Sequence, residues 1–423
     1  MQSARIIKLK PLFHVIAGLL LSAGVFLYLA SYFTGLWLIS AGILLLLVYR
    51  GLAAGSRALR EEGKKWFSRM VVPVAGTVSA VLIGAVVMLF AGYNPLQAYA
   101  ALFYGGFVKN WYVSVLNAVP LIFTGLSIAF AFQAGLFNIG AEGQYYVGSM
   151  AALFLGIYCG FSPLLAIPLI FLVSGLSAAL YNAVPALLKV KTGAHEVITT
   201  MMFAHIARYF TSIFIRAFGG HPATSAHAYV TDPILPSNWL PVFKDILPAA
   251  NYRLHIGIII AVLTALLVYY LLYHTRWGFE LRATGQNRFT AEAQGIPVKK
   301  VIFFALLFAG FLAGLSGTVQ VLGLNHKLFE NLDAGYGWNG ISVSLLAMNH
   351  PVGVIFTSLL WGSLDAGGQY MSRTLQIPNS IVEIIKGIIL FLVVARYLYA
   401  RAGDILKKIR AVFRKEKKGA GYE

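Results

Sequence analysis

GLFNIGAEGQYYVGSMAALFLG, residues 135–156, begins with polar side chains and continues as a segment apolar enough to cross a bilayer. Because they are spaced at steps of four and three, Asn138, Glu142 and Tyr145 fall on one face of a helix. The glycines fall largely elsewhere, where a missing side chain lets a neighbouring helix approach closely. The stretch therefore predicts a membrane helix with a polar stripe and a separate packing surface.

The sequence allows two depths for Glu142 in the membrane. If the chain break at 134–139 lies at the membrane surface, Glu142 is only about 6 Å inside, at 1.5 Å per residue. If the helix is discontinuous, its free N-terminal amides and Glu142 lie near the midplane, as in broken transporter helices. Acids within apolar spans are costly and usually face a cavity, so the polar residues of this segment are predicted to line a solute path: Asn138, Glu142, Gln144 and Tyr145. The alternative is an acidic first turn that only complements the helix dipole.

The composition of the chain indicates an integral membrane protein. Of its 423 residues, 59% are hydrophobic and only 11% are charged, and the mean hydropathy is +0.75. Soluble domains carry about 25% charged residues, and a spanning helix needs roughly 20 apolar residues. We therefore expect an all-α polytopic membrane protein with about twelve transmembrane helices, at 12–32, 35–50, 70–92, 114–133, 140–160, 164–188, 196–217, 254–273, 300–323, 336–348, 352–371 and 379–398.

The net charge of +18 would suggest nucleic acid in a soluble protein, but here the positive charges sort by side. With the N-terminus inside, 25 of the 33 Lys and Arg residues fall in cytoplasmic segments and 5 fall in outer ones. Lys and Arg are enriched on the cytoplasmic side of membrane proteins. Both termini are therefore predicted to be cytoplasmic, and the chain is expected to contact membrane lipid and not nucleic acid.

The segment HEVITTMMFAHIARYF, residues 195–210, places two further ionisable groups in an apolar span. Arg208 lies about 18 Å along a helix that starts at Glu196, well inside the bilayer. It needs a carboxylate, a carbonyl or water there, and Glu142 or Asp365 is the expected partner. Glu196 and Arg208 are predicted to line the solute path, and the alternative for Arg208 is a buried structural ion pair.

A third polar segment, residues 324–350, surrounds a short apolar stretch at 336–348 that either crosses the membrane or re-enters it. Asn325, Trp338 and Asn339 lie just outside or just within that stretch. Aromatic stacking combined with amide hydrogen bonds suits a flat polar ligand such as a base or a nucleoside. An interfacial belt of Tyr and Trp is the equally ordinary alternative.

Motifs for chemistry are missing from the sequence. No G-x-x-x-x-G-K-[ST] motif is present, so the chain does not hold ATP in a P-loop itself. His195 and Glu196 do not extend to H-E-x-x-H, and the single cysteine, Cys159, has no companions for a metal site or a disulfide. We predict no catalytic residue, no metal and no cofactor.

Four motifs in order resemble one known family. AGLFNIGAEGQYYVGSMAA (134–152), HEVITTMM (195–202), RATGQNRFTAEAQGIPVKK (282–300) and YGWNGISVSLLAMNHPVGVIFTSLLWGSL (336–364) are similar to permease subunits of bacterial ABC importers. Within the ribose, branched-chain amino acid and nucleoside group, they most resemble the nucleoside branch, which is associated with basic membrane proteins.

The resemblance implies a permease core at 70–400, preceded by an N-terminal transmembrane hairpin and basic linker at 1–69 and followed by a basic tail at 401–423. The hairpin is additional to the family's ten-helix core. Implied partners are a cytoplasmic ABC ATPase, a second related permease and an extracytoplasmic substrate-binding lipoprotein, and the implied location is the bacterial cytoplasmic membrane.

The resemblance also implies that the polar loop at 276–297 couples the permease to its ATPase. The residues predicted to carry this role are Arg282, Gly285, Asn287, Ala291, Glu292 and Gly295. The loop is expected to form a short helix that ends at Gly295, with Pro297 preventing continuation.

Two alternatives to a nucleoside importer remain open from the sequence. An ion-coupled secondary transporter would use Glu142, Glu196, Arg208 and Asp365 as a proton or sodium path. An ABC permease for a simple sugar such as ribose would share the fold and differ only in its substrate.

Overall fold

A computed structural model describes residues 79–218, 220–222, 229–243, 253–330 and 335–394. The predicted helices at 12–32 and 35–50, the N-terminal segment 1–69 and the tail 401–423 lie outside the described residues.

Helices form nearly all of the described chain. The α-helices are α1 (Ser79–Phe90), α2 (Pro95–Phe103), α3 (Trp111–Gln133), α4 (Ala141–Tyr158), α5 (Pro163–Thr192), α6 (Glu196–Ala217), α7 (Gly257–His274), α8 (Arg276–Gln286), α9 (Arg288–Ala293), α10 (Val298–Gln320), α11 (Tyr336–Leu346), α12 (Pro351–Leu375) and α13 (Ser380–Val394). Two π-helical segments, Tyr104–Lys109 and Val321–Asn325, follow α2 and α10. The short strands β1 (His221–Pro222) and β2 (Tyr229–Val230) pair antiparallel in the loop after α6.

Within the described ranges, five helices are long and apolar enough to cross a membrane: α3, α5, α6, α7, and α10 with its π-helical continuation. The chain is thus an all-α, multi-pass membrane protein. The predicted bounds of α6, 196–217, are confirmed. Helix α2 was not predicted, although Asn94 accepts hydrogen bonds from the amides of Leu96 and Gln97, and Pro95 occupies the first helical position.

Helices α3 and α10 form the centre of the bundle. Their apolar stretches are 83% and 72% buried, against 39% or less for α5, α6 and α7. Small residues let α10 touch its neighbours through backbone: a Cβ atom at Gly148 of α4 would lie 2.3 Å from the carbonyl oxygen of Gly314, and one at Gly317 would lie 2.2 Å from that of Tyr145. This close approach fixes α4 against the centre of the bundle.

Helix α4 begins inside the bundle and not at the end of α3. The side-chain amide of Asn138 donates to Ser127 Oγ at 3.2 Å, so the loop at 134–140 runs back alongside α3. Ser127 precedes the last residue of α3, Gln133, by six positions, which is about 9 Å of helix. Glu142 therefore lies deeper in the bundle than a start of α4 at the end of α3 would place it, and its depth in the membrane stays a prediction.

Helix α11 is too short to cross the membrane and is a half-helix. Its 11 residues span about 16 Å, roughly half of the hydrocarbon thickness. Near its start, Thr124 Oγ1 donates to the carbonyl of Tyr336 at 2.9 Å, and beyond its end, Gln133 Nε2 donates to the carbonyl of Asn349 at 3.1 Å. Thus α11 lies alongside the second half of α3, and the turn at 348–349, with both residues at positive φ, leads into α12.

Candidate solute path and coupling surface

A pair of buried amides closes the loop before α4. Asn138 Nδ2 donates to Gln144 Oε1 at 2.9 Å, and Gln144 Nε2 donates back to Asn138 Oδ1 at 3.0 Å. Because α4 begins at Ala141, Asn138 lies in the loop, and the prediction that it shares a helical face with Glu142 was wrong. Both amides are buried and hold the entrance of α4 in place; their role in a solute path stays a prediction.

Glu142 caps the N-terminus of the opposing half-helix, α11. Its Oε1 accepts from the amide of Gly335 at 3.0 Å, and its Oε2 accepts from the amide of Gly337 at 2.6 Å. The first amides of a helix have no partner within it and carry partial positive charge. Gly337 is required here because a Cβ atom would lie 2.2 Å from the Glu142 nitrogen. The carboxylate therefore joins α4 to the half-helix α11 inside the bundle.

A small aromatic cleft, with a volume of about 10 Å³ that has room for a single water molecule, lies between α4, α6 and the chain beyond α10. It is lined by Tyr145, Tyr146, Arg208, Thr211, Ser212, Leu328 and Phe329. The cleft brings together Tyr145 and Arg208, which the sequence placed in separate motifs. The ring of Tyr145 lies 5.7 Å from that of Tyr336, measured between centroids, so the cleft continues toward the start of α11.

The first turn of α11 carries the other predicted aromatic and amide groups. Trp338 is 36% exposed, and its ring lies 6.2 Å from that of His205 on α6. Asn339 Oδ1 accepts from Trp361 Nε1 at 3.1 Å. Asn325 ends the π-helical segment after α10 and is partly buried. This turn thus presents an indole and an amide at the depth where α11 begins.

Glu196 lies apart from these groups, at the connection between α5 and α6. Its Oε2 is 2.7 Å from Lys189 Nζ, and Thr200 Oγ1 donates to its backbone carbonyl at 2.8 Å. The ion pair closes a short loop at the predicted cytoplasmic end of both helices. The structure therefore gives Glu196 a local stabilising contact, and its place in a solute path stays a prediction.

Asp365 does not provide the partner that was expected for Arg208. It forms an ion pair with Lys386 of α13, and Lys386 also lies 3.0 Å from Glu383.

Gln320 Nε2 donates to the hydroxyl of Tyr336 at 3.4 Å. Sequence reasoning did not assign Gln320 or Trp361, although a glutamine in an apolar span such as α10 is the kind of signal that marks a functional position.

The predicted coupling loop is built from two short helices, α8 and α9. Asn287 caps α9 by accepting from the amides of Phe289 and Thr290 at 3.0 and 3.1 Å. A Cβ atom at Gly285 would lie 2.2 Å from the carbonyl oxygen of Gln133, so only glycine allows α8 to rest on the end of α3. Gly295, at φ +82°, follows α9 and ends it as predicted.

The remaining residues of the loop divide into an inner and an outer set. Arg282 Nε donates to the carbonyl of Leu272 at 3.1 Å, and its guanidinium lies over the Tyr273 ring. Ala291 is buried, whereas Glu292 is exposed and Phe289 is 86% exposed. The inner set holds the loop to the bundle, and the outer set offers an apolar and charged surface.

At the opposite end of the bundle, the loop 229–243 packs on residues 326–330. The Arg216 guanidinium lies 2.6 Å from Glu330 and holds the pKa of that carboxyl below its usual range. Burial lowers the pKa of His255 to about 4, and the nearby His326 makes a smaller contribution in the same direction, so His255 is neutral near pH 7. Within the described ranges, no three His, Cys, Asp or Glu side chains group as metal ligands.

Comparison with known proteins identifies the class that this architecture defines. Residues 112–394 match the family model described as the branched-chain amino acid transport system / permease component. That match covers well over half of the chain, and the chain belongs to this permease family.

Characterised relatives extend along most of the chain. The guanosine ABC transporter permease protein NupP of Bacillus subtilis is 34% identical over 81% of this chain and 98% of its own length. The nucleoside ABC transporter permease protein NupB of Lactococcus lactis is 30% identical over 83% of this chain and 98% of its own length. The glucose ABC transporter permease protein TsgB13 of Haloferax volcanii is 28% identical over 77% and 87%, respectively. No solved structure matches the chain.

The cap on α11 makes a testable prediction. In Glu142→Gln a single oxygen remains to accept from two amides, and the charge is lost; hydrogen bonds to a charged group are worth about 1.5–3 kcal/mol each. We expect the apparent melting temperature of the purified protein in detergent to fall by at least about 3 °C. Asp232→Asn, which changes a side chain that is 70% exposed in the outer loop, is the control and should melt like wild type. Equal melting of Glu142→Gln and wild type would show that the cap does not stabilise α11.

Proposed function

We propose that this chain is the membrane-spanning permease subunit of an ABC importer that carries nucleosides into the cell. Membership of the permease family is the observation that carries the proposal. The aromatic cleft lined by Tyr145 and Arg208 is closed in this structure, and its groups suit a base once it opens. A nucleobase presents a flat π face that stacks on tyrosine and ring atoms that accept hydrogen bonds from a guanidinium. The guanosine and nucleoside permeases among its relatives support the same substrate class.

Movement of the half-helix α11 against α4 is the conformational change that this proposal assigns to transport. Helix α11 contacts its neighbours through glycines: a Cβ atom at Gly337 would meet Glu142, and one at Gly340 would lie 2.6 Å from Thr124 Oγ1. Such smooth contacts allow a short helix to shift as a unit as access alternates. In this proposal, Tyr145, Arg208 and the first turn of α11 contact the solute, and Glu142 keeps the moving helix attached to α4.

The partners follow from the two ends of the bundle. The α8–α9 loop, with exposed Phe289, receives the cytoplasmic ATPase, and the outer loop 229–243 receives a substrate-binding lipoprotein. A second, related permease completes the pathway; in support, two different permeases match this chain in Bacillus subtilis, NupP and NupQ, and two in Lactococcus lactis, NupB and NupC. The distribution of Lys and Arg places both termini in the cytoplasm.

A sugar importer is the second candidate, because a glucose permease of Haloferax volcanii is also similar over most of the chain. An ion-coupled transporter is disfavoured, since two of the acids it would need are already engaged. Glu142 accepts backbone amides, and Glu196 is paired with Lys189.

Uptake by cells tests the substrate and the energy source together. Cells that carry or lack this gene are given radiolabelled guanosine, uridine, ribose or glucose, with ATP depleted or the proton gradient collapsed in separate samples. We expect gene-dependent nucleoside uptake that requires ATP and persists without the gradient. Gradient-dependent uptake would overturn the proposal of an ABC importer. Uptake of glucose or ribose without uptake of nucleosides would show that the substrate is a sugar.

The coupling surface is tested at Phe289. Its ring is 86% exposed at the end of the bundle predicted to be cytoplasmic, so Phe289→Ala should weaken ATPase binding by about tenfold, as loss of an aromatic anchor does at other interfaces. The measurement is co-purification of the ATPase with tagged permease, together with guanosine uptake. Phe161→Ala, at a 60% exposed ring near the opposite end, should retain both activities. Undiminished ATPase recovery with Phe289→Ala would contradict the assignment.

A further inference from the structure

A cluster of charged side chains on α12 and α13 has no part in the contact between Glu142 and α11. Lys386 Nζ lies between Asp365 and Glu383, and it also lies 5.9 Å above the ring of Trp361. Asp365 is ten residues before the end of α12 at Leu375, about 15 Å along the helix. Three ionisable groups at such a position in a membrane bundle are costly unless they serve the interior or a cavity.

The cluster adjoins the start of α11. Trp361, one turn before Asp365 on α12, donates to Asn339, and Asp365 itself lies within electrostatic range of Tyr336. Tyr336 in turn contacts Gln320 and packs on Tyr145, which lines the aromatic cleft. A continuous series of polar and aromatic groups therefore runs from the cleft to Asp365.

The members of the cluster differ in their access to a solute. The side chain of Lys386 is 4% exposed, whereas that of Asp365 is 25% exposed. The lysine thus serves as a buried anchor that holds Oδ1 of Asp365, and Oδ2 retains lone pairs for further hydrogen-bond donors. A fixed, partly accessible carboxylate is well suited to accept from hydroxyl groups, because charged acceptors make stronger hydrogen bonds than neutral ones.

We propose that Asp365 is a specificity-determining residue that accepts hydrogen bonds from the vicinal hydroxyl groups of the solute's sugar ring, with Lys386 fixing its orientation. The inference rests on the proposed function and adds to it: once the aromatic cleft has opened to admit the base, the ribose points past Tyr336 toward α12. A solute that lacks the two hydroxyls leaves the carboxylate without donors and is therefore rejected.

The test compares two solutes in cells that carry wild-type or variant permease and otherwise identical partners. Initial rates of uptake are measured for radiolabelled guanosine and radiolabelled 2′,3′-dideoxyguanosine, and their ratio is the readout. Any discrimination by the binding protein is the same in every strain, so a change in the ratio reports on the permease. We expect Asp365→Asn to reduce the ratio by at least about tenfold.

A second variant separates binding from folding. Asp365→Asn leaves the buried Lys386 with Glu383 as its remaining charged partner and can lower the amount of folded protein, whereas Asp365→Leu combined with Lys386→Met removes both charges. The double variant should recover wild-type abundance but retain the reduced ratio. Glu383→Gln, which alters the 55% exposed acid bonded to the same lysine, should keep the wild-type ratio.

Each outcome bears on a separate claim. A wild-type ratio in well-expressed Asp365→Asn, or in the double variant, would overturn the role of Asp365 while leaving nucleoside transport intact. The same reduction in Glu383→Gln as in Asp365→Asn would assign discrimination to the charge of the whole cluster and not to Asp365. The absence of guanosine uptake by wild type would instead reject the proposed function.

Discussion

The hydrogen bonds from the amides of Gly335 and Gly337 to the carboxylate of Glu142 are the contact on which the described bundle depends. A membrane bundle has no water to satisfy the free amides of a helix that starts inside it. One acid meets this need for α11, and its own backbone starts α4. The same contact accounts for the buried acid, for the glycines around α11 and for the break between α3 and α4.

Backbone contacts make this arrangement compact. Gly148 and Gly317 bring α4 against α10, and Gly285 brings the α8–α9 loop against the end of α3. The end of α3 also bonds to the turn after α11 through Gln133. The α8–α9 loop is thereby in direct contact with the segment that precedes α4. A displacement of this loop would therefore move that segment, and with it α4 and α11. We propose this connection as the physical route from ATP hydrolysis to the solute path.

How much the sequence predicted depended on the range of the contacts involved. Length and hydropathy gave α6 its bounds, and the Gly295 and Pro297 signals gave the end of α9, because these features are local. Of the two acids expected to pair with Arg208, Asp365 was wrong, because it pairs with Lys386 and nothing in the sequence relates α12 to α13 across the bundle. The depth of Glu142 was left open for the same reason: it depends on a loop that folds back along α3 and on amides nearly 200 positions away.

The most direct measurement of the half-helix arrangement is disulfide cross-linking in a Cys159→Ser background. If α11 starts beside Thr124, cysteines at Thr124 and Gly340 are adjacent, since a Cβ atom at Gly340 would lie 2.8 Å from that of Thr124. A shift of about 1 Å brings the pair to the roughly 3.8 Å of a disulfide, so the two cysteines should link in membranes under mild oxidation. Cysteines at Ser114 and Gly340 should not link, because Ser114 is ten residues, about 15 Å, further along α3. Linking of the Ser114 pair and not the Thr124 pair would mean that α11 starts near the beginning of α3, and the account would be wrong.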